Sequence, residues 1–251
     1  MSPFIKPFFI AQTFLTRIPT PKMSRISEKE LSLSILYYPV IGLCIGLFLT
    51  ILSYLFPLFV GDDALSVVAV IIVMAWVLVT GALHLDGLAD TADGFLGGQG
   101  STERTLKIMK DPVSGPAGIA SIFLVLMLKY SAILAILESD LSLWGILLAP
   151  FIARALAIGL LTYTPVSQEA GLAFDLKKID FPELVATILL VVSVVVYFAT
   201  NIYVLITLAL LVYGIRHWAM SRLKGITGDV LGLSIEVIEA LFLVMLVLAL
   251  V

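Results

Sequence analysis

Seven long apolar stretches, at roughly 36–60, 65–83, 116–137, 142–164, 183–200, 202–220 and 232–251, alternate with short polar connectors. Each is close to the ~20 residues that a helix needs to cross a hydrocarbon core of ~30 Å. Lipid offers no partners for backbone N–H and C=O groups, so such stretches are stable there only as helices. The pattern predicts an all-α, polytopic integral membrane protein with about seven transmembrane helices. Ahead of them, residues 3–22 mix Phe4, Phe8, Ile10 and Phe14 with Lys6, Gln12 and Arg17, the signature of an amphipathic segment lying in the interface. Ile18-Pro19-Thr20-Pro21 ends that segment. The connector 24–34 contains Ser27-Glu28-Lys29-Glu30, a capping-box start. Gly42-x-x-x-Gly46 in the first span suits close helix packing, and Asn201 leaves only a tight hairpin between the fifth and sixth. No stretch suits a soluble domain, so residues 1–251 read as a single transmembrane domain. The aromatic, Pro-broken N-terminus lacks a signal-peptide cleavage site, and the first span is expected to act as the insertion signal.

Composition sharpens this picture. The 251 residues are 61% hydrophobic and 13% charged, against about 25% charged in soluble domains. A net charge of −3 points away from a nucleic-acid partner. The one cysteine, Cys44, lies in an apolar run and allows no intramolecular disulfide. Lys6, Arg17, Lys22, Arg25 and Lys29 precede the first span, and Arg104, Lys107 and Lys110 follow the second. Lys177 and Lys178 follow the fourth; Arg216, Arg222 and Lys224 flank the turn from sixth to seventh. Thirteen of the fifteen Lys and Arg residues thus fall on one side, while the other three connectors hold Asp62, Asp63, Glu138 and Asp140. That asymmetry predicts a cytoplasmic N-terminus in a cell (inner) membrane. The two exceptions, Lys129 and Arg154, fall inside spans and should face the bundle interior, as a pair with an acidic neighbour or in a polar cavity.

The densest chemistry is His84–Gly98, HLDGLADTADGFLGG. On a helix Asp86, Asp90 and Asp93 fall at about 0°, 40° and −20°, on one face. Like charges so placed repel, and a divalent cation removes the conflict; Mg²⁺ takes carboxylate, water and phosphate oxygens. Gly97-Gly98-Gln99-Gly100 then forms a turn, and Ser101-Thr102-Glu103-Arg104 starts a helix. Arg104, Lys107 and Lys110 make a basic stripe, suited either to anionic lipid headgroups or to a phosphorylated substrate opposite the metal. A second polar site, Lys224-Gly225-Ile226-Thr227-Gly228-Asp229, opens the last span. Asp229 and Glu236 are seven residues apart and share a face, and Glu236 lies two turns inside an apolar helix, where a lone carboxylate is costly. These features suggest Mg²⁺-dependent transfer involving a phosphate or diphosphate. Spacing alone leaves open phosphotransfer between alcohols, prenyl transfer, or a transporter with an acidic relay.

The motif set resembles the cobalamin synthase (adenosylcobinamide-GDP ribazoletransferase) family. It rests on Phe14-Leu15-Thr16-Arg17-Ile18-Pro19-x-Pro21, Pro39-Val40-x-Gly42, and above all Gly81-x-x-His84-Leu85-Asp86-Gly87-Leu88-Ala89-Asp90-Thr91-Ala92-Asp93-Gly94. Gly97-Gly98, Glu103-Arg104, Ile108-Met109-Lys110-Asp111, Gly115, Gly118, Ala153-Arg154 and Gly225-x-Thr227-Gly228-Asp229-x-Leu231-Gly232-x-x-x-Glu236 complete it, in order, almost end to end. Pro112 stands where relatives usually have Ser, which displaces Asp111 from helical geometry. The resemblance implies a Mg²⁺-dependent membrane enzyme of vitamin B12 assembly. It would join adenosylcobinamide-GDP to α-ribazole, or its 5′-phosphate, and release GMP. By the same resemblance Asp86 and Asp90 hold Mg²⁺, and Asp93 is a metal ligand or the general base. Arg104 and Lys110 bind phosphate oxygens, with Arg17, His84, Asp111, Asp229 and Glu236 completing the substrate site. Partners beyond substrate and membrane lipid are left open, a homo-oligomer included.

Overall fold

The computed structural model describes residues 5–23, 25–60, 64–139, 143–168 and 171–250. These form twelve α-helices and one 3₁₀ turn, with no strand among the described residues. In chain order they are α1 (Ile5–Leu15), α2 (Glu28–Ser34), α3 (Tyr38–Val60), α4 (Leu65–Thr80), α5 (Leu83–Gly97) and α6 (Thr102–Met109). Then come α7 (Pro116–Glu138), α8 (Trp144–Thr162), α9 (Leu172–Leu176), α10 (Pro182–Ala199), α11 (Ile202–Leu223) and α12 (Gly228–Leu250). Six helices are long and apolar enough to cross a membrane: α3, α7, α8, α10, α11 and α12. The expected second span, 65–83, corresponds to α4 and ends in a sharp corner. Helix α4 stops after 16 residues, about 24 Å of rise, and α5 leaves it at 88°. The expected Phe4, Asp62, Asp63 and Asp140 lie outside the described residues.

Helix α8 is the axis of the bundle. Within its apolar window 78% is buried inside the protein, against 17% for α10 and 22% for α11, which face outward. Apolar side chains gain nothing from exchanging lipid for protein, so helices in a membrane associate through close packing of small residues. Helix α8 supplies Ala149, Ala153 and Ala157, all buried. Against it α3 presents Gly42 and Gly46, where an added Cβ would run into the backbone of Pro150 and Leu147. The predicted Gly-x-x-x-Gly face is therefore the α3–α8 interface.

Polar contacts fix the bundle at two depths. Near its middle, Lys129 Nζ on α7 donates to Glu236 and Glu239 on α12 at 2.7 and 2.5 Å. Arg154 Nη1 on α8 donates to the other oxygen of Glu239, and Lys129 Nζ also lies 4.4 Å above the Trp76 ring on α4. Four helices thus share one buried, charge-balanced cluster. At the polar end, Ser27 and Glu30 form the predicted capping box of α2. Lys6 bridges from α1 to Glu30 at 2.8 Å; that bond and those from Ser27 hold the Glu30 carboxyl down at about 2. Lys178 reaches Glu28 at 2.8 Å, and Thr102 donates to the Arg222 carbonyl at 2.6 Å. The basic connectors therefore meet at one end. Asn201 caps α11 through Tyr203 N–H and Val204 N–H, closing the predicted hairpin.

Deleting one member of a buried ion cluster leaves an uncompensated charge, at a cost of roughly 3–5 kcal/mol. Lys129→Met should sharply lower the temperature at which detergent-solubilised protein loses its monodisperse chromatographic peak. Lys129→Met with Glu236→Gln restores neutrality and should recover much of the loss. Equal stability of the single and double variants would refute the charge balance.

Candidate active site at the polar end of the bundle

The site begins at the corner between α4 and α5. Gly81 and Ala82 both adopt left-handed backbone, with φ of 64° and 56°, and the second of these is strained for a residue with a Cβ. Arg17 N–H donates to the Val79 carbonyl at 2.8 Å, and its side chain lies over Gly81, in the space that a Cβ would need. Arg17 thus braces the corner; it does not line the cleft described below.

The corner throws α5 across the end of the bundle and onto α12. Close approach is made by two glycines: a Cβ on Gly87 would meet the Asp229 carbonyl oxygen at 2.7 Å, and one on Gly232 would meet the His84 carbonyl oxygen at 3.2 Å. The two polar motifs of the sequence, 141 residues apart at Gly87 and Gly228, are brought together. A neighbouring clasp fixes the entry to α12: Ile226 N–H donates to Pro165 O at 2.7 Å and Ser167 N–H to Ile226 O at 2.9 Å.

Beside this contact lies a cleft of about 350 Å³. Asp86, Lys110 and Asp229 line it, together with His84, Gln168 and Thr227. Both ring nitrogens of His84 are buried and lack a hydrogen-bond partner among the described residues. Asp90 is one turn along from Asp86. Its partial burial, then the charges of Asp86, Asp229 and Asp93, push its carboxyl up to about 6. An open trough of about 630 Å³ adjoins the cleft, lined by Glu103, Lys107 and Asp111, and shares Leu106, Lys110 and Gln168 with it. Helix α6 ends at Met109, ahead of Pro112, and Asp111 accepts from Val113 N–H at 3.0 Å.

Several expected site residues have other partners. Both oxygens of Asp93 are acceptors, from Gly115 N–H at 2.6 Å and Gly118 N–H at 2.9 Å. Asp93 therefore caps the N-terminus of α7 across space, which the sequence spacing could not reveal. Glu236 is the Lys129 partner, 3% exposed, and does not line the cleft. Arg104 is exposed on α6, with its N–H donating to the Ser101 N-cap, and lines neither the cleft nor the trough. Conversely, Gln168 and the short helix α9, which brings Phe174 to the cleft, carried no signal in the sequence.

Among the described residues no three His, Cys, Asp or Glu side chains stand close enough to hold a metal ion as a preformed group. The donor set still suits Mg²⁺, which commonly takes one or two carboxylates and completes its shell with water and substrate phosphate. Asp86 and Asp229 in the cleft and a repelled Asp90 behind them provide such carboxylates.

A raised carboxyl means that folded Asp90 holds its proton more tightly than the unfolded chain. Stability without a cation therefore falls as pH rises from the ordinary value of 3.8 through about 6. Mg²⁺ should raise the thermal midpoint more at about pH 7.5 than at about pH 5, where the proton competes. Asp86→Asn should abolish that rise. Asp93→Ala should cost about 1–2 kcal/mol, as for a lost N-cap, and leave the rise intact; its loss in Asp93→Ala would make Asp93 a ligand after all.

Six helices long and apolar enough to span, with a cleft at one end that gathers Asp86, Asp229 and Lys110, describe a multi-pass membrane protein with a candidate active site. The chain belongs to the cobalamin-5-phosphate synthase family, whose model matches residues 7–247. It is 40% identical over 242 residues to the adenosylcobinamide-GDP ribazoletransferase of Pseudomonas syringae pv. syringae strain B728a, covering 93% of this chain and 95% of that one. The protein of the same description from Pseudomonas putida strain KT2440 is 40% identical over 233 residues, with the same coverage. That from Pseudomonas entomophila strain L48 is 39% identical over 242 residues, covering 95% and 97%. No solved structure matches the chain.

Proposed function

We propose that this enzyme joins adenosylcobinamide-GDP to α-ribazole, or to its 5′-phosphate, with release of GMP, and that it does so with Mg²⁺ at the cytoplasmic face of the cell (inner) membrane. The observation that carries the chemistry is the meeting of α5 and α12, which puts Asp86 and Asp229 in one cleft with Lys110. The acceptor's ribose hydroxyl attacks the phosphorus that carries the cobinamide. A new P–O bond forms to the ribose, and the bond to the GMP oxygen breaks. Bound Mg²⁺, held by Asp86 and Asp229 with Asp90 behind them, would neutralise the diphosphate oxygens. Lys110 pairs with the phosphate charge that grows on the departing GMP. His84 lines the cleft and is held neutral by burial and by the charges of Arg154 and Lys129; a ring nitrogen turned from its buried position towards the acceptor takes the hydroxyl proton. The orientation rests on the basic connectors gathered at the cleft end.

Purified protein in detergent, given both substrates and Mg²⁺, should make corrinoid product and GMP in equal amounts. His84→Ala should lower kcat by about 10²–10⁴ while retaining the Mg²⁺-induced rise in thermal midpoint. Release of inorganic diphosphate from an isoprenyl diphosphate, with no GMP formed, would sink the reading. Orientation is read by an impermeant thiol reagent on intact cells carrying Cys44→Ser. Gly100→Cys should resist the reagent and Glu138→Cys should react; the opposite labelling would place the cleft away from its nucleotide.

A further inference from the structure

We infer that the cleft and the trough are separate seats for the two substrates: the cleft's apolar wall takes the benzimidazole base of the acceptor nucleoside, and the polar trough takes the guanine nucleotide of the donor. This deepens the functional reading above and rests on it. The first constraint is size. Ligand pockets of roughly 300–1,000 Å³ enclose drug-sized molecules, so a cleft of about 350 Å³ admits a nucleoside and shuts out a corrin ring with its side chains. Only the acceptor and the guanosine end of the donor are small enough to enter.

Chemistry separates those two. The cleft wall built by α1, α3 and α9 carries Phe14, Tyr38, Leu172, Phe174 and Leu176, three aromatic rings and two leucines with a single hydroxyl. Guanine carries an N1–H, an exocyclic amine, a carbonyl and N7, and burying these against such a wall would leave them unpaired. The base of ribazole has ring C–H and methyl groups along its six-membered edge and no N–H donor, so it loses nothing there and gains ring stacking. The trough offers guanine what that wall lacks, carboxylates beside Leu106 and Pro112. Glu103 and Asp111 are acceptors for the adjacent N–H donors of guanine, and Lys107 and Lys110 suit phosphate.

Reaction geometry requires two seats with one junction. The attacking and leaving oxygens lie in line on opposite sides of the transferred phosphorus, so acceptor and GMP must approach from different directions. Lys110 and Gln168 line both chambers, and the phosphorus belongs at that junction, in the cleft that Asp86 and Asp229 also line.

Two-substrate steady-state kinetics test this. Phe174→Ala should raise KM for α-ribazole about ten-fold or more, the loss of one stacked base, with KM for adenosylcobinamide-GDP changed less than about two-fold. Glu103→Gln should do the reverse. Phe174→Tyr keeps the ring and should restore the acceptor KM; Phe174→Leu serves as the reading if Phe174→Ala does not fold. A donor KM raised by Phe174→Ala or Phe174→Leu, or both KM values raised alike, would overturn the assignment while wild-type turnover still upheld the reaction. Wild-type protein that makes no GMP and no corrinoid product would overturn the reaction itself, and the assignment with it.

Discussion

Glu239 is held from two sides, by Lys129 on α7 and Arg154 on α8, and the geometry of the whole active site follows from that buried contact. Asp229, Gly232, Glu236 and Glu239 recur at intervals of three, four and three along α12, so they form one stripe. With its deep end locked by charge, the helix cannot rotate without leaving ionised groups unpaired in an apolar interior. The same lock therefore fixes the shallow end, where Gly232 lies against His84 and the Asp229 backbone lies against Gly87. A slip of one residue along α12 would turn Asp229 by about 100° and break up the cleft. Charge in the middle of the bundle acts here as a register pin for the catalytic surface.

The second constraint is the left-handed corner at Gly81 and Ala82. Without it, α5 would continue α4 as a single span and carry Asp86, Asp90 and Asp93 towards lipid. The corner lays them over the bundle end instead, and Asp93 completes the placement by capping α7 two turns further along α5. One helix thus has two anchored faces: Gly87 against α12, and Asp93 against the start of α7. The residues that look alike in the sequence divide their labour accordingly.

This division marks how far the chain could be read in advance. Apolar run length and the alternation of basic connectors are local properties, and they gave the spans, the capping box at Ser27 and Glu30, and the Gly42–Gly46 packing face. The interior placement of Lys129 and Arg154 followed from the cost of a charge in lipid, and both have the acidic partners that this cost demands. Glu236 stood out for the same reason, but its partner lies 107 positions away, and only the fold shows that Lys129 claims it. Helical periodicity grouped Asp86, Asp90 and Asp93 correctly on one helix. It could not show that the N-terminus of α7 would take the third. Helix α9 escaped because five residues are too few to display a period, and with it went Phe174 and the apolar wall of the cleft.

That wall bears on why a phosphoryl transferase needs a cleft of this kind. Water is a competing nucleophile for the same diphosphate, present at far higher concentration than any ribose hydroxyl, and attack by water would give hydrolysis in place of transfer. A charged cleft open to solvent would activate both nucleophiles alike. Here the carboxylates of α5 and α12 and Lys110, just past α6, line one side, while the wall from α1, α3 and α9 is apolar. A flat aromatic base seated on that wall displaces water from the side on which attack must occur. The short helices at the bundle end, tied down through Lys6–Glu30 and Lys178–Glu28, hold that wall in place. On the proposed seating of the acceptor base, selectivity for transfer over hydrolysis belongs to the α1, α3 and α9 wall, and reactivity to the acidic motifs of α5 and α12.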